Sequence, residues 1–424
     1  AFDPADRYQN VQALLLAIRN VRRQTERGEN KWLKAVVAIE SIVLVLVLAG
    51  AIFWGTGFQK TKNTEEEDYA AVIAERQIKQ QDESAEDLSA QADSEEIVTL
   101  EGDPLLLQAI RETAGSNEVT KRMLSGITRI AVIGDQIYTE ETPVEDLENI
   151  VYQDGFNDGM VNGGITDLSV LTNLPNLKEV FLCNQKISDI SPLQELPIEG
   201  LYVCGNQIGD FSPVEKMQEL STLYLVDNPV GKMPQLSGCT KLTRLALCGN
   251  DYETLDFLQD SCICNLYAMG IYVEDESFEV LSTMQSLTEL YTGSEQKQFY
   301  ETLPELTELR TLSLWGGNFG TDLTIVSKLV NLQNLFVNDE FVTSLSGIEN
   351  LQRLEVFCMD GTNATDISPL TKLPRLQVVR LQGVPIVEFT PLFSCHSLQE
   401  VGADSSQKET IEQLGDPVFM ISVE

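Results

Sequence analysis

The chain has 424 residues, of which 43% are hydrophobic, and a formal net charge of −36 with a pI near 4.2. This acidity argues against nucleic acid as a partner, because a phosphate-binding surface needs clustered Lys and Arg. The single histidine, His396, excludes histidine-based triads and multi-histidine metal sites. We therefore predict no catalytic residue and no metal site in this chain.

Residues 1–23 predict a turn at Pro4 followed by an amphipathic helix, with apolar side chains at helical spacing, Val11, Leu14, Leu15 and Ile18. Within this stretch the motif DP-x-x-RY-Q-x-V-x-x-L resembles the last helical subdomain of Hanks-type (eukaryotic-like) bacterial Ser/Thr protein kinases. The resemblance implies a structural role for Arg7, which would pair with the Glu of an Ala-Pro-Glu motif and hold the C-lobe together.

The motifs that perform phosphoryl transfer are absent from the sequence. It contains no Gly-rich phosphate loop, strand Lys, HRD catalytic loop or DFG motif, and Ala1 is not a start methionine. We therefore expect the chain to be the C-terminal part of a longer receptor kinase. The missing catalytic domain would use ATP and Mg²⁺, and the chain alone would need no cofactor and show no kinase activity.

An apolar run at residues 35–54, AVVAIESIVLVLVLAGAIFW, contains one charged side chain, Glu40, and is long enough to cross a bilayer as a helix. The preceding segment, 24–34, is basic, whereas the acidic stretch 55–102 reads as a solvated stalk. Because Lys and Arg mark the cytoplasmic side, we predict a single-pass protein in the cell membrane with the N-terminus inside and the remainder outside.

A helix is predicted to open residues 103–126, since Asp103 suits an N-cap and Pro104 suits the first helical position. From Leu177 the pattern L-x-x-L-x-L-x-x-N-x-I recurs in units that start at 177, 198, 220, 242, 264, 287, 309, 332, 354, 376 and 398. This is the leucine-rich repeat pattern, in which the apolar positions 1, 4, 6 and 11 fill a continuous core.

The fold class is therefore α/β: a leucine-rich repeat solenoid over 127–424 with a parallel sheet on its concave face. Position 9 holds an amide that can satisfy backbone groups of the turn, as Asn206, Asn228 and Asn250. The Asp-Ile-Ser-Pro-Leu segment at 189–193 and again at 366–370 resembles the internalin-like bacterial subfamily. That resemblance implies that the helix in 103–126 is an N-terminal cap.

Two irregular earlier units are predicted to begin at Ile127 and Leu147. The second carries a Gly-rich insert, DGFNDGMVNGG, whose Asp154 and Asp158 loosely match a calcium loop. Phe156 occupies what should be a ligand position, so we favour a Gly-rich turn over calcium binding at 154–159.

Three of the eight cysteines, Cys183, Cys204 and Cys248, share position 7 of their units. Cys183 and Cys204 would lie on neighbouring strands about 5 Å apart, a separation that a disulfide can span. The spacing of the eight shows no compact disulfide framework, and we favour free thiols.

Position 5 carries the most informative row, because positions 3, 5 and 7 of each strand point to the concave face while 4 and 6 point to the core. The residues expected there are Ala131, Val151, Phe181, Tyr202, Tyr224, Ala246, Ala268, Tyr291, Ser313, Phe336, Cys358, Arg380 and Gly402. Strands favour aromatic residues in general, but an exposed aromatic row is also typical of a binding surface. We predict a ligand-binding face formed by Phe181, Tyr202, Tyr224, Arg244, Tyr291, Trp315, Phe336 and Arg380.

Charges of both signs flank this row, which favours a peptide, protein loop or glycan over a strongly charged polymer. The leading interpretation is the C-terminal portion of a single-pass receptor Ser/Thr kinase with a ligand-binding repeat domain outside the cell. The alternative is a membrane-anchored adhesion or ligand-binding protein with no enzymatic part. The sequence leaves homodimerisation open.

The charge asymmetry around residues 35–54 gives a first testable prediction. Protease added to intact cells should remove the repeats and leave residues 1–34 protected, because the basic flank stays inside. Immunoblotting with an antibody against each end would measure this. Loss of the N-terminal signal with retention of the repeats would contradict the topology.

Overall fold

The computed structural model describes residues 95–153, 162–274, 278–294, 296–317, 319–381 and 383–423. The kinase-like segment with Arg7, the basic segment, the apolar run 35–54, most of the stalk and the insert 154–159 lie outside these ranges, and the interpretations placed on them stay predictions. Within the described ranges, no helix combines the length and apolarity that crossing a bilayer requires. The chain forms two compact units, 1–98 with 120–122 and 99–119 with 123–424, and the second contains the repeats.

Five helices lie in the described ranges: α1 (Pro104–Ala114), α2 (Lys121–Gly126), α3 (Val144–Gln153), α4 (Lys297–Thr302) and α5 (Ser405–Leu414). The strands are β1 (Ile97–Val98), β2 (Val119–Thr120), β3 (Arg129–Ile133), β4 (Gln136–Tyr138), β5 (Glu179–Cys183), β6 (Gly200–Tyr202), β7 (Thr222–Tyr224), β8 (Arg244–Ala246), β9 (Asp251–Tyr252), β10 (Asn265–Met269), β11 (Tyr272–Val273), β12 (Glu289–Gly293), β13 (Thr311–Trp315), β14 (Asn334–Asn338), β15 (Val356–Asp360), β16 (Val378–Arg380), β17 (Glu400–Ala403) and β18 (Met420–Val423). Short 3-10 helices such as Ser191–Leu193 and Ser368–Lys372 return the chain from one repeat strand to the next.

A single sheet of 14 strands runs through the repeats in the order β18-β17-β16-β15-β14-β13-β12-β10-β8-β7-β6-β5-β3-β4. Its pairs are parallel except β3–β4, which is antiparallel at the first edge. Equivalent positions of successive repeats face one another, as Phe181 opposite Tyr202 and Tyr202 opposite Tyr224 show. This arrangement confirms the predicted leucine-rich repeat solenoid with a long parallel sheet.

The core lies behind the sheet and is built from the predicted apolar positions. In the unit that starts at Leu177, positions 1, 4, 6 and 11 have no exposed surface: Leu177, Val180, Leu182 and Ile187. Val180 lies between Ile130 and Leu201 of the neighbouring strands, so the apolar positions of successive repeats are aligned. The hydrophobic effect thereby fixes the register, since a slip of one residue would turn the buried row to solvent.

Buried asparagines close the turn after the strand. The Asn228 amide nitrogen donates to the carbonyl oxygens of Val203 and Leu225 at 2.9 Å, and its oxygen accepts from the Ile208 amide at 3.1 Å. One side chain therefore satisfies backbone groups of two successive repeats, as the position-9 pattern predicts. Asn206 and Asn250 bond in the same way.

Glutamines take this role where the asparagine is missing. Gln185 donates to the Gly134 carbonyl at 2.6 Å, and Gln296 both donates to the Val273 carbonyl and accepts from the Val273 amide. Gln407 donates to two backbone carbonyls from α5. The turns of the divergent repeats are thus satisfied by a longer amide, at position 9 for Gln185 and one position later for Gln296 and Gln407, which the Asn pattern alone does not predict.

The helix that the sequence places after Asp103 is shorter than the predicted segment 103–126. Asp103 accepts a hydrogen bond from the Leu105 amide at 2.9 Å, and Pro104 occupies the first position of α1. The helix ends at Ala114 because Gly115 adopts the left-handed conformation (φ 67°) that glycine enters without steric cost. A second short helix, α2, follows. The role of α1 as a cap of the internalin type stays a prediction.

The predicted repeat unit at Leu147 is wrong. This segment forms α3, and β3 pairs directly with β5, so Val151 lies on a helix and not at position 5 of a strand. Leu147 and Val151 are four residues apart and both fully buried, which is the spacing of one helix face.

The unit predicted to start at residue 264 begins one residue earlier, at Ile263. In β10 it is Tyr267 that faces Ala246 on one side and Tyr291 on the other, so Ala268 is not the position-5 residue. Ile263 has no exposed surface and fills position 1, whereas Cys264 is partly exposed. Burial of the isoleucine decides the register.

Replacing Asn228 by Ala should lower the free energy of unfolding by roughly 1–3 kcal/mol, because buried backbone groups lose their partner. Urea unfolding of the full chain, followed by circular dichroism, measures this change. Asn363, which is exposed and makes one bond to the Glu340 carbonyl, provides the control: Asn363→Ala should change stability by less than about 0.5 kcal/mol. Equal effects of the two variants would contradict the role of the buried amide.

Candidate functional site

Aromatic rings follow one another along position 5 of the sheet. Phe181 and Tyr202 stack with ring centroids 4.0 Å apart, and Tyr224 meets Tyr202 edge-on at 4.9 Å. Tyr267 and Tyr291 stack at 4.4 Å. We call these five rings the aromatic row. Tyr267, which the sequence interpretation missed, has its ring centroid 6.1 Å from that of Tyr224 and stands where Ala268 was expected at position 5. The correct β10 register is the signal that would have revealed it.

The expected exposure of the predicted binding residues is corrected by the structure. Phe181 and Tyr224 have no exposed surface and Tyr202 retains 2%, while Tyr291 and Phe336 retain 6% and 7%. Ring stacking across neighbouring strands hides the faces of these side chains from solvent. Replacement of Tyr202 or Tyr224 by Ala would therefore remove packing as well as contact surface, and would destabilise the domain.

Helix α3 provides part of this cover, through Glu148. The Glu148 Oε1 atom accepts from the Tyr202 hydroxyl at 2.6 Å and from Arg244 Nη1 at 2.9 Å, and Oε2 accepts from Arg244 Nη2 at 3.2 Å. Arg244 also donates to the Tyr224 hydroxyl at 2.7 Å, and its guanidinium lies 5.6 Å from the Tyr224 ring centroid. Burial and the neighbouring Glu148 carboxylate raise the pKa of Tyr202, so its hydroxyl stays protonated and donates. No local pattern connects Glu148 to these residues, which lie 54 and 96 positions further along the chain.

A second carboxyl group next to this cluster, that of Glu179, has a raised pKa. The pKa of Glu179 is raised to about 7: burial is the largest cause, the carboxylates of Glu199 and Glu148 act in the same direction, and Arg129 and Arg244 oppose the shift. Its buried Oε2 atom has no hydrogen-bond partner among the described residues. A Cβ on Gly200 would collide with this carboxyl, so the glycine provides the space that it occupies.

Further along the sheet the face is more open. Tyr267 and Trp315 are partly exposed, and Asp360 is exposed. The Trp315 indole donates to the Ser313 hydroxyl at 2.9 Å, which holds the ring over the strand and hides Ser313 completely. Tyr267, Tyr291, Trp315, Phe336 and Asp360 define what we call the open surface.

Arg380 does not line this open surface as an available cation. It is buried, donates to the Ser422 hydroxyl at 2.7 Å, and pairs with Glu400 at 2.9 Å, with side-chain exposures of 7% and 12% for the two ionic partners. Its side chain lies over Gly402, where a Cβ would collide with it. The arrangement ties β16, β17 and β18 together, a structural role for a residue predicted to bind ligand.

All eight cysteines lie in the described ranges and are free thiols, as the spacing favoured. Cys183, the last residue of β5, and Cys204, two residues after β6, are fully buried, and the Cys183 thiol donates to the Tyr202 carbonyl at 3.5 Å. Burial raises the pKa of Cys204 well above that of an ordinary thiol, which keeps it protonated and unreactive.

Comparison with known proteins identifies the fold. No protein-family model matches the chain. The mitochondrial respiratory supercomplex factor 1 of Eremothecium gossypii is 34% identical over 64 residues, which are 15% of this chain, and the chain spans 41% of that protein's length. The fold is a leucine-rich repeat solenoid. It is similar to the crystal structure of an internalin from Listeria monocytogenes, with a TM-score of 0.52 and 20% identity over 76% of this chain and 90% of that chain. A leucine-rich repeat protein of Leptospira interrogans matches with a TM-score of 0.46 and 19% identity, over 64% of this chain and 80% of that chain.

The raised pKa of Glu179 predicts a pH-dependent stability. The folded chain holds a proton between the ordinary pKa of 4.5 and about 7, whereas the unfolded chain has released it. The free energy of unfolding should therefore fall as pH rises through this window and level off above it. Urea unfolding at pH 5 and pH 7.5 measures the change, which Glu179→Gln should reduce. Glu253→Gln, at an exposed position, is the control, and an unchanged slope in Glu179→Gln would contradict the assignment.

Proposed function

We propose that the repeat domain binds an extracellular protein, peptide or glycan, as the sensor of a single-pass membrane receptor Ser/Thr kinase. The observation that carries the binding role is the open surface, where the partly exposed Tyr267 and Trp315 stand beside the exposed Asp360 on a rigid parallel sheet. Rigid aromatic side chains give large contact area at low conformational entropy cost, which is why they dominate binding hot spots.

The exposure of each residue indicates which part of the open surface would contact a partner. Tyr291 and Phe336 are nearly buried, while Trp315 is partly exposed and its indole is held by Ser313. We therefore place the centre of the contact at Trp315. Arg244 also lines the concave face, with 35% of its side chain exposed, although its guanidinium is shared with Glu148. An acidic chain with a net charge of −36 does not favour a nucleic acid here.

The membrane and kinase parts of the proposal rest on the sequence. The apolar run 35–54 would anchor the chain, with the repeats outside, and the kinase-like segment 1–23 would join a catalytic domain that uses ATP and Mg²⁺. The alternative is a membrane-anchored adhesion or ligand-binding protein without enzymatic activity. Its support is the internalin-like fold together with the shortness of the kinase-like segment. The coding sequence upstream of Ala1 separates the two, because only a receptor kinase would encode the HRD and DFG motifs there.

The binding surface can be tested with a photo-crosslinking amino acid at position 315 of the full chain, displayed on cells. We expect a crosslinked product of defined mass, and at least tenfold less partner bound by Trp315→Ala, because a central aromatic anchor contributes more than about 1.4 kcal/mol. Phe341, which lies after β14 and is 48% exposed, is the control site for both measurements. Crosslinking from position 341 and not from 315 would contradict the proposed surface.

A further inference from the structure

Helix α3 lies on the concave face although it does not belong to the repeat pattern. The chain leaves the solenoid after β4, forms this ten-residue helix, and returns to the repeats at β5. One face of the helix bears Leu147, Glu148 and Val151, which are all buried. Glu148 directly follows Leu147, and Val151 comes four residues after Leu147, so the three side chains lie on one side of the helix. The buried face of α3 therefore carries one carboxylate and two aliphatic side chains.

The sheet provides a matching surface for that face. Phe181, Tyr202 and Tyr224 supply stacked apolar rings, and Arg244 supplies a cation among them. The tyrosine hydroxyl of Tyr202 and both guanidinium nitrogens of Arg244 point to the Glu148 carboxylate. We call these four residues the helix socket. A charge-assisted, two-pronged contact from Arg to a carboxylate is strong and geometrically specific.

The contacts that hold α3 in the helix socket also carry a cost. A helix of ten residues is marginal on its own in water, so α3 depends on the sheet for its stability. Glu148 lies close enough to Glu179 that the two carboxyl groups repel, and the buried Glu179 Oε2 and Arg129 Nε atoms lack hydrogen-bond partners within the described part of the chain. Opening of α3 would relieve the repulsion between Glu148 and Glu179.

We propose that the helix socket is a binding site for an amphipathic helix of a protein partner, one with a carboxylate flanked by aliphatic residues at −1 and +3. Helix α3 is the built-in occupant, which the partner helix displaces. This inference deepens the proposed function, because it names a partner class for the covered half of the concave face. The chemistry follows from the occupant: Arg244 requires an anion, and in α3 the anion is accompanied by the buried aliphatic residues Leu147 and Val151 on the same helical face.

A fluorescein-labelled peptide with the sequence of residues 143–153 is the probe. Added to the full chain in mild detergent, it should bind the Leu147→Ser/Val151→Ser variant, whose own helix is loosened, at least tenfold more tightly than wild type by fluorescence anisotropy. A peptide with Glu148→Gln should lose at least tenfold of that affinity, because Arg244 loses its anion. A peptide with Asp146→Ser, a substitution at an exposed position of the same helix, is the matched control and should bind with the affinity of the wild-type peptide.

Hydrogen exchange of the wild-type chain gives an independent measurement that does not depend on a folded variant. Amides of 144–153 should exchange at least tenfold faster than those of β6 and β7, which shows opening of α3 without unfolding of the sheet. Equal exchange rates, or equal peptide affinity of a natively folded Ser variant and wild type, would overturn the proposal and make α3 an integral part of the core. Either failure would leave the crosslinking test at Trp315 unaffected.

Discussion

The parallel register holds each side chain of the sheet directly over its counterpart in the preceding repeat, and the remaining features of the domain depend on it. Burial of the apolar positions enforces this register, since one residue of slip would expose a row of leucines. The same alignment puts the position-9 amides within reach of two successive turns. Asn228, for instance, bonds the carbonyls of Val203 and Leu225, which belong to different repeats. Side chains of the stacked repeats thereby satisfy backbone groups of neighbouring repeats.

Register also produces the aromatic row, and it explains why that row is not a freely exposed surface. Rings on strands less than 5 Å apart must stack or meet edge-on, as Phe181, Tyr202 and Tyr224 do. Stacking hides the ring faces, and α3 adds a polar lid in which Glu148 bonds Tyr202 and Arg244. The concave face therefore has two regions of different character: a covered one near the first repeats and an open one around Trp315. Binding at the open region needs no rearrangement, whereas binding at the covered one requires displacement of a helix.

Buried charged side chains connect separate elements of this domain. Arg380 was expected to contact ligand from position 5, but its pair with Glu400 and its bond to Ser422 connect the last three strands. Arg244 differs from Arg380, because its partner Glu148 belongs to an inserted helix and not to the solenoid. An ion pair between repeat strands is as permanent as the strands, while an ion pair to an inserted helix can open with it. This difference is why Arg380 has a structural role, whereas a recognition role of Arg244 is our proposal.

The sequence by itself determined the repeat architecture, because a period of 21 to 23 residues with apolar positions 1, 4, 6 and 11 has no other way to bury its leucines. It also determined the asparagine turns and the start of α1 at Pro104, with Asp103 as the N-cap. Only the tertiary structure decided that Leu147 belongs to a helix, that Tyr267 and not Ala268 stands in the aromatic row, and that Glu148 meets Tyr202 and Arg244. The physical reason is the sequence separation of the residues that interact. Repeat periodicity is a local signal that each unit carries, whereas the cover over the aromatic row depends on contacts between residues 54 and 96 positions apart, which leave no pattern in the chain.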